Sequence, residues 1–192
     1  MENVRSIGTS YVTSRVSGSP AAGSVAYKVP SYNAMIDTWV NAAPAGEDRV
    51  EAGRLFKYAQ ARSCKLLDLS EQRYSSLTSL PPDLPDELIE LNLGNMTNLT
   101  ALSVKWPPNL KCLYLNNCTG VVSLPTELPE LVFLGLQGCS SLTSLDNLPA
   151  TLTHLNLIGC TSLPSVPGNL SETMKVLLPS HLTAAPKFVT PR

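Results

Sequence analysis

Leu131–Leu136 reads LVFLGL, a hexapeptide with apolar residues at its first, fourth and sixth positions. The same spacing occurs in four other segments, which are CKLLDL from Cys64, LIELNL from Leu88, LKCLYL from Leu110 and LTHLNL from Leu152. The five starts lie 24, 22, 21 and 21 residues apart, and a more divergent copy, TMKVLL, follows 21 residues later at Thr173. Self-similarity at this period indicates an array of one repeated supersecondary unit.

The period and the leucine spacing together predict an α/β leucine-rich-repeat solenoid of about six turns, with one short parallel strand per turn. Ten prolines occupy the segments that connect one strand to the next. Because proline lacks an N–H and has a fixed φ, it disfavours helix, and we expect extended segments on the convex side. These prolines are Pro81, Pro82, Pro85, Pro107, Pro108, Pro125, Pro129, Pro149, Pro164 and Pro167.

A helical hairpin is predicted immediately before the first repeat. Apolar residues from Tyr32 to Val40 follow a helical stripe that ends at Ala43-Pro44. A second helix is predicted to start near Gly46, with Glu47 and Asp48 in its first turn, where acidic side chains interact favourably with the helix dipole. Because the terminal turn of a solenoid needs a cover, we expect the hairpin to act as an N-terminal cap.

The predicted organisation has four parts: residues 1–30, 31–63 (the hairpin cap), 64–180 (the repeats) and 181–192 (a C-terminal tail). Residues 1–30 contain Glu2 as their only acid and are rich in serine, a composition that predicts disorder. The same composition is also typical of an organelle transit peptide, which remains an alternative address for the protein.

Composition argues against several function classes. The net charge is −1, without the basic excess of a nucleic-acid-binding protein, and no apolar run is long enough to span a membrane. Five cysteines and two histidines without a CxxC pair make a metal site improbable, and no catalytic motif occurs, so we predict neither a cofactor nor an enzyme. Three cysteines recur every 21 residues and are interpreted as buried free thiols: Cys118, Cys139 and Cys160.

A binding surface can be predicted from the strand pattern, because alternate side chains of a strand point to opposite faces. If the first, fourth and sixth positions point inward, the second, third and fifth positions of each strand face the concave side of the solenoid. Those positions are rich in aromatic, apolar and amide residues, as protein-binding surfaces are. The candidate protein-binding residues are Glu90, Asn92, Cys112, Tyr114, Asn116, Val132, Phe133, His154, Asn156 and Ile158. Cys112 and His154 lie two turns apart, roughly 10 Å, too far for a catalytic pair.

Short turns with LP pairs, as in SLPPDLPDELIELNL from Ser79 and SLPTELPELVFLGL from Ser123, resemble the repeats of bacterial type III secretion effectors of the IpaH, SlrP and YopM kind. The segment from Tyr32 to Gln60 is similar to the helical hairpin that precedes the repeats in those effectors, with Trp39 and the run Gly46-Glu47, Arg49, Glu51-Ala52 at matching places. The GC or NC in the turn departs from the Asn usual in this family.

The resemblance implies a virulence protein that is secreted into the host cytoplasm, where its repeats bind a host protein, with the serine-rich start as a secretion signal. Ligase members of the family carry a catalytic cysteine in a Cys-x-Asp context beyond the repeats. No cysteine of this sequence has that context, so ligase activity is not carried over. The alternative is that the chain is the substrate-recognition fragment of such a ubiquitin ligase, without its catalytic domain.

Overall fold

A computed structural model describes residues 30–166, 170–171 and 173–182. The predicted disorder or secretion signal of residues 1–30 lies outside the described residues except for Pro30, and so does the predicted tail of residues 181–192 except for its first two positions. Within the described part, two helices are followed by a parallel sheet. The helices are α1 (Tyr32–Asn41) and α2 (Val50–Ala61); the strands are β1 (Leu66–Asp68), β2 (Glu90–Asn92), β3 (Cys112–Tyr114), β4 (Phe133–Gly135), β5 (His154–Asn156) and β6 (Lys175–Leu177).

The six strands form one sheet in chain order, each paired in parallel with the next and without a register shift. The hydrogen-bonded ladder continues past the strands. The amide of Leu93 donates to the carbonyl of Tyr114 at 2.8 Å, and the amide of Leu115 donates to Gly135 at the same distance. The predicted solenoid, with one short strand per turn and helices at its N-terminal end, is therefore confirmed.

The leucines of the repeat form the core, as predicted. In the fourth copy Leu131, Leu134 and Leu136 are completely buried. A second row of apolar residues packs behind them where the chain turns back. The members of that row that are buried include Leu99, Leu102, Val121, Leu124, Leu142, Leu145 and Leu163. Each turn thus buries its leucines between the preceding and the following turn.

The connections between strands are extended or turn-like, as the prolines predicted. Among the described residues after Cys64, the one helical segment is a 3₁₀ turn at Gln72–Tyr74. It lies in the first repeat, which has two residues more than the later ones between Leu69 and Leu77. Tyr74 is only 3% exposed, so the longer turn adds an aromatic side chain to the core.

The turns that follow β2 to β5 each place a left-handed residue two positions after the last leucine. Asn95, Asn117, Gly138 and Gly159 occupy this position with φ of 65°, 59°, 74° and 78°. Asparagine and glycine are the residues that adopt this conformation most readily. At Gly138 a Cβ would lie 2.3 Å from Oδ1 of Asn117, so any larger residue there would require the Asn117 side chain to move.

The three periodic cysteines connect successive turns. The Sγ atoms of Cys118, Cys139 and Cys160 donate to main-chain carbonyls of the preceding turn at 3.0–3.1 Å. All three are completely buried and free. Burial raises the pKa of Cys118 and of Cys139 to about 12, which keeps the thiol protonated and able to donate. Their interpretation as buried free thiols is confirmed.

The hairpin packs through its apolar stripes, with the rings of Trp39 and Phe56 edge to face at 5.8 Å. The predicted start of the second helix is wrong, because α2 begins at Val50 and not near Gly46. Glu47 is therefore outside the helix. Asp48 lies nearer the helix end, where its Oδ1 accepts a hydrogen bond from the amide of Val50 at 3.0 Å.

Glu47 instead forms a buried ion pair that joins the hairpin to the first repeat. Arg49 donates from Nε and Nη2 to the two carboxylate oxygens of Glu47 at 2.8 and 3.2 Å. The carboxylate also accepts from the amide and the hydroxyl of Thr78, at 3.1 and 2.8 Å. The guanidinium in turn donates to the carbonyl of Trp39 and to the hydroxyl of Ser79. The side chains of Glu47 and Arg49 thus form hydrogen bonds with groups on both the hairpin and the first repeat.

Glu47→Gln should destabilise the protein at neutral pH by about 1 to 3 kcal/mol, because hydrogen bonds to a charged carboxylate are lost. Burial alone would raise the pKa of Glu47, but hydrogen bonds from Arg49 and Thr78 outweigh it and hold the pKa below 4.5. The stabilisation is then present above pH 4.5 and is lost as the pH falls through the folded-state pKa.

Urea unfolding of the natural and Glu47→Gln proteins between pH 7 and pH 3 measures this difference, which should shrink below pH 4.5. Glu87→Gln is the matched control, since Glu87 forms an exposed pair with Lys65 and its side chain is 50% exposed. A difference that does not depend on pH would contradict the role of the carboxylate.

Leu134→Ala should lower the free energy of unfolding by about 2 to 5 kcal/mol, because it leaves a cavity between stacked turns. The control, Val122→Ala, alters a side chain that is 52% exposed and should change stability by roughly 0.5 kcal/mol or less. Denaturant titration followed by circular dichroism compares the two variants. Equal losses would show that the leucine column does not form the core.

Candidate functional site

The third and fifth strand positions form two columns of side chains on the concave face, opposite the buried leucines. Of the predicted site residues, eight are intermediate or exposed within or next to these columns, and Val132 and Ile158 lie beside them at 39% and 44% exposure. The site is built from the middle strands, β2 to β5. Consecutive in-register strands position it, so its geometry follows from the repeat.

Three rings form a continuous row across β3, β4 and β5, which we name the aromatic row: Tyr114, Phe133 and His154. The ring centroids of Tyr114 and Phe133 are 4.9 Å apart at an interplanar angle of 37°. Those of Phe133 and His154 are 6.3 Å apart and stacked at 26°. Rings at these separations attract one another beyond their apolar burial. The structure therefore brings three of the predicted site residues into contact with one another.

Gly135 makes room for this arrangement, a role that the sequence analysis missed. Tyr114 is opposite Gly135 in the register of β3 and β4. A Cβ on Gly135 would lie 2.9 Å from Oδ1 of Asn116 and 3.2 Å from Cε1 of Phe133. The missing side chain lets the Phe133 ring lie beside Tyr114. A glycine within a strand signals the close approach of other groups, but not which groups they are.

The predicted amide residues have internal partners. Oδ1 of Asn92 accepts from the amide of Gly94 at 3.0 Å, and Oδ1 of Asn156 accepts from Ile158 at 3.1 Å. Asn116 reaches the next turn, where its Oδ1 accepts from the amide of Gln137 at 3.1 Å. These oxygens satisfy main-chain donors at the strand ends. The side-chain oxygens of these asparagines are therefore used to stabilise the main chain beside the aromatic row.

Three exposed apolar residues near the columns were not among the predicted site residues. Leu66 and Leu177, on the first and last strands, are 55% and 54% exposed, and Ile89 at a second strand position is 41% exposed. Their positions in the repeat could have identified Leu66 and Leu177, because Leu66 is at a third strand position and Leu177 at a fifth. Together with Val132 they extend the apolar surface across the sheet.

The thiol of Cys112 is not activated. Burial, and then the negative charge of Glu90, raise its pKa, which favours the unreactive thiol. In the strand register, Phe133 separates Cys112 from His154. The His154 imidazole interacts instead with the hydroxyl of Thr153, where Nδ1 and Oγ1 are 2.8 Å apart.

The described residues contain no group of three His, Cys, Asp or Glu side chains that could hold a metal ion. In the same part of the chain, no helix has the length and apolar character needed to cross a membrane. Two depressions of about 210 and 290 Å³ adjoin α1, and neither is lined by a residue of the aromatic row.

Thiol labelling tests this description of the cysteines. Ellman's reagent should modify two thiols in the native protein, the partly accessible Cys64 and Cys112, and all five after unfolding in guanidinium. The reaction of Cys112 should be slow because its pKa is raised. Cys112→Ser should leave one reactive thiol. Rapid native labelling of the buried three, located by peptide mass spectrometry, would contradict the packing of the turns.

No protein-family model matches the sequence, and no curated protein matches it. Among solved structures, the leucine-rich-repeat domain of a Shigella effector is similar, with 31% identity and a TM-score of 0.67 over 82% of this chain and 68% of that chain. The leucine-rich-repeat domain of the type III effector XopL aligns at 17% identity over 79% of this chain and 90% of that one, but its TM-score of 0.37 is too low to bear on function. With its LP-type repeats, its preceding hairpin and its similarity to the Shigella domain, this chain belongs to the bacterial type III effectors with leucine-rich repeats.

Proposed function

We propose that the protein is a non-enzymatic effector that acts in the host cytoplasm and binds a host protein through the aromatic row. The observation that carries the proposal is this row of three contiguous rings on an exposed, parallel sheet face. Large side chains with a polar tip, such as tyrosine, are the groups that most often dominate the energy of a protein interface.

The row is well prepared for binding because its geometry exists without a partner. Phe133 contacts both neighbouring rings, and Gly135 leaves space for it. Side chains that are already ordered lose little rotamer entropy on association. Tyr114 and Phe133 are partly buried against the sheet, while His154 is exposed. We assign Tyr114 and Phe133 the role of central contacts with the partner.

The other predicted site residues form the surround of the row. Val132 and Ile158 supply apolar area, and the remaining members supply polar groups: Glu90, Asn92, Cys112, Asn116 and Asn156. A surround of this kind excludes water from central contacts, even where each residue contributes little by itself. The proposed interaction is with a protein and involves neither a cofactor nor nucleic acid.

The host cytoplasm is proposed on the family membership and is consistent with the thiols. Three free cysteines lie in successive turns and donate hydrogen bonds as thiols. Thiols persist in reducing compartments.

The double substitution Tyr114→Ala and Phe133→Ala should weaken partner binding by about 100-fold or more, because it removes two central contacts. Proteins captured from host lysates by the natural chain are first identified by mass spectrometry, and the purified partner is then titrated by calorimetry. Thermal unfolding should stay within a few degrees of the natural protein.

Val122→Ala is the control, since it truncates an exposed apolar side chain outside the strands and should leave the affinity unchanged. Undiminished binding by the double variant, with its fold intact, would contradict the proposed site.

A further inference from the structure

We infer that the partner inserts an arginine whose guanidinium lies between the Glu90 carboxylate and the Tyr114 ring. This inference rests on the proposed function and adds the chemistry of the contact. It arises from the distribution of charge on the concave face, where an acidic residue that pairs with no cation of the described residues adjoins an aromatic ring.

The acidic groups near this end of the sheet differ in their partners. Glu87 pairs with Lys65, and Glu130 pairs with Lys111 at 3.6 Å, so these lysines are already neutralised. The carboxylate of Glu90 makes no hydrogen bond or ion pair with any described residue. Nearby Asp68 accepts from the amide of Ser70 but is also without an ion pair in the described part of the chain. Within the described part of the chain, the carboxylates of Asp68 on β1 and Glu90 on β2 therefore have no paired cation.

Glu90 is adjacent to the aromatic row. It pairs with Cys112 in the register of β2 and β3, and Tyr114 lies two residues further along β3. Burial and then the charge of Glu90 raise the pKa of Tyr114, as they do for Cys112, which indicates that the carboxylate is close to both groups. A cationic group of the partner that lies over the Tyr114 ring would therefore be attracted by the Glu90 carboxylate.

An arginine fits this combination better than a lysine. Its planar guanidinium stacks on an aromatic face and donates two parallel hydrogen bonds to one carboxylate. Within this protein, Arg49 shows the same pair of contacts, since it bonds to Glu47 through two nitrogens and lies 4.7 Å from the centre of the Trp39 ring. A lysine ammonium is a strongly hydrated point charge and would gain less from the ring.

A lysine at the opposite end of the concave face would orient the partner. Lys175 on β6 is exposed and has no ion pair among the described residues. Four strand steps separate Glu90 from Lys175, or roughly 19 Å at about 4.8 Å a step. We expect the bound segment to present its arginine toward β2 and an acidic side toward β6, because complementary charges fix the register of an interface.

Selection from a phage-displayed library of random 16-residue peptides against the full chain tests the inference without knowledge of the host. Peptides that also bind the Tyr114→Ala and Phe133→Ala double variant are removed. The remaining peptides should be enriched in arginine at one position. Glu90→Gln should weaken synthetic copies of them roughly 10- to 100-fold, as expected for losing a charged hydrogen-bonded pair.

Two matched variants sharpen the result. Glu127→Gln makes the same change of charge outside the strands and should leave peptide affinity unaltered. Glu90→Arg should select peptides with aspartate or glutamate where arginine stood, and its circular dichroism should match that of the natural chain.

The outcomes separate this inference from the proposed function. Peptides that require the aromatic row but show no preference for arginine, and that bind Glu90→Gln equally well, would overturn the inference and leave the proposed function standing. Failure to select any peptide that depends on the row would count against both.

Discussion

The in-register stacking of successive turns is the constraint on which the rest of the structure depends. Main-chain groups at each strand end must pair with the next turn, as Leu93 does with Tyr114 and Leu115 with Gly135. Leucines from equivalent positions then fall into one buried column, because no turn can cover its own apolar face. The left-handed residues close the turns that follow β2 to β5. The buried thiols donate hydrogen bonds to the preceding turn.

The same stacking creates the surface that we propose as the site. Once the leucine column is fixed inside, the intervening strand positions must form columns on the other face. Variation is free there, and three neighbouring turns carry Tyr114, Phe133 and His154. Glycine at position 135 then decides how these rings pack, since any side chain there would meet Asn116 and Phe133. Fold and candidate site thus share one geometry, while different residues determine each.

Much of the fold could be predicted from the spacing of the leucines alone, because the same pattern recurs in every repeat and each copy supports the assignment of the others. The strands, the inward leucines and the buried cysteines followed from their period. The start of α2 was wrong, since first-turn propensity placed Glu47 in the helix, whereas its contacts with Arg49 and Thr78 hold it outside. The amide partners of Asn116 and the space at Gly135 were not predictable, because both depend on side-chain directions between turns. Burial of Tyr74 in the 3₁₀ turn likewise depends on tertiary packing.

The central claim is that separate residues of each turn govern folding and binding. A saturation scan of Leu131–Leu136, with every variant scored for resistance to proteolysis and for capture of the identified partner, tests it most directly. The account predicts that substitutions at the buried Leu131, Leu134 and Leu136 abolish both readouts, and that polar substitutions at Phe133 abolish capture while resistance is kept. A scan in which polar substitutions at Phe133 lower proteolytic resistance as much as those at the leucines, or leave capture unchanged, would contradict it.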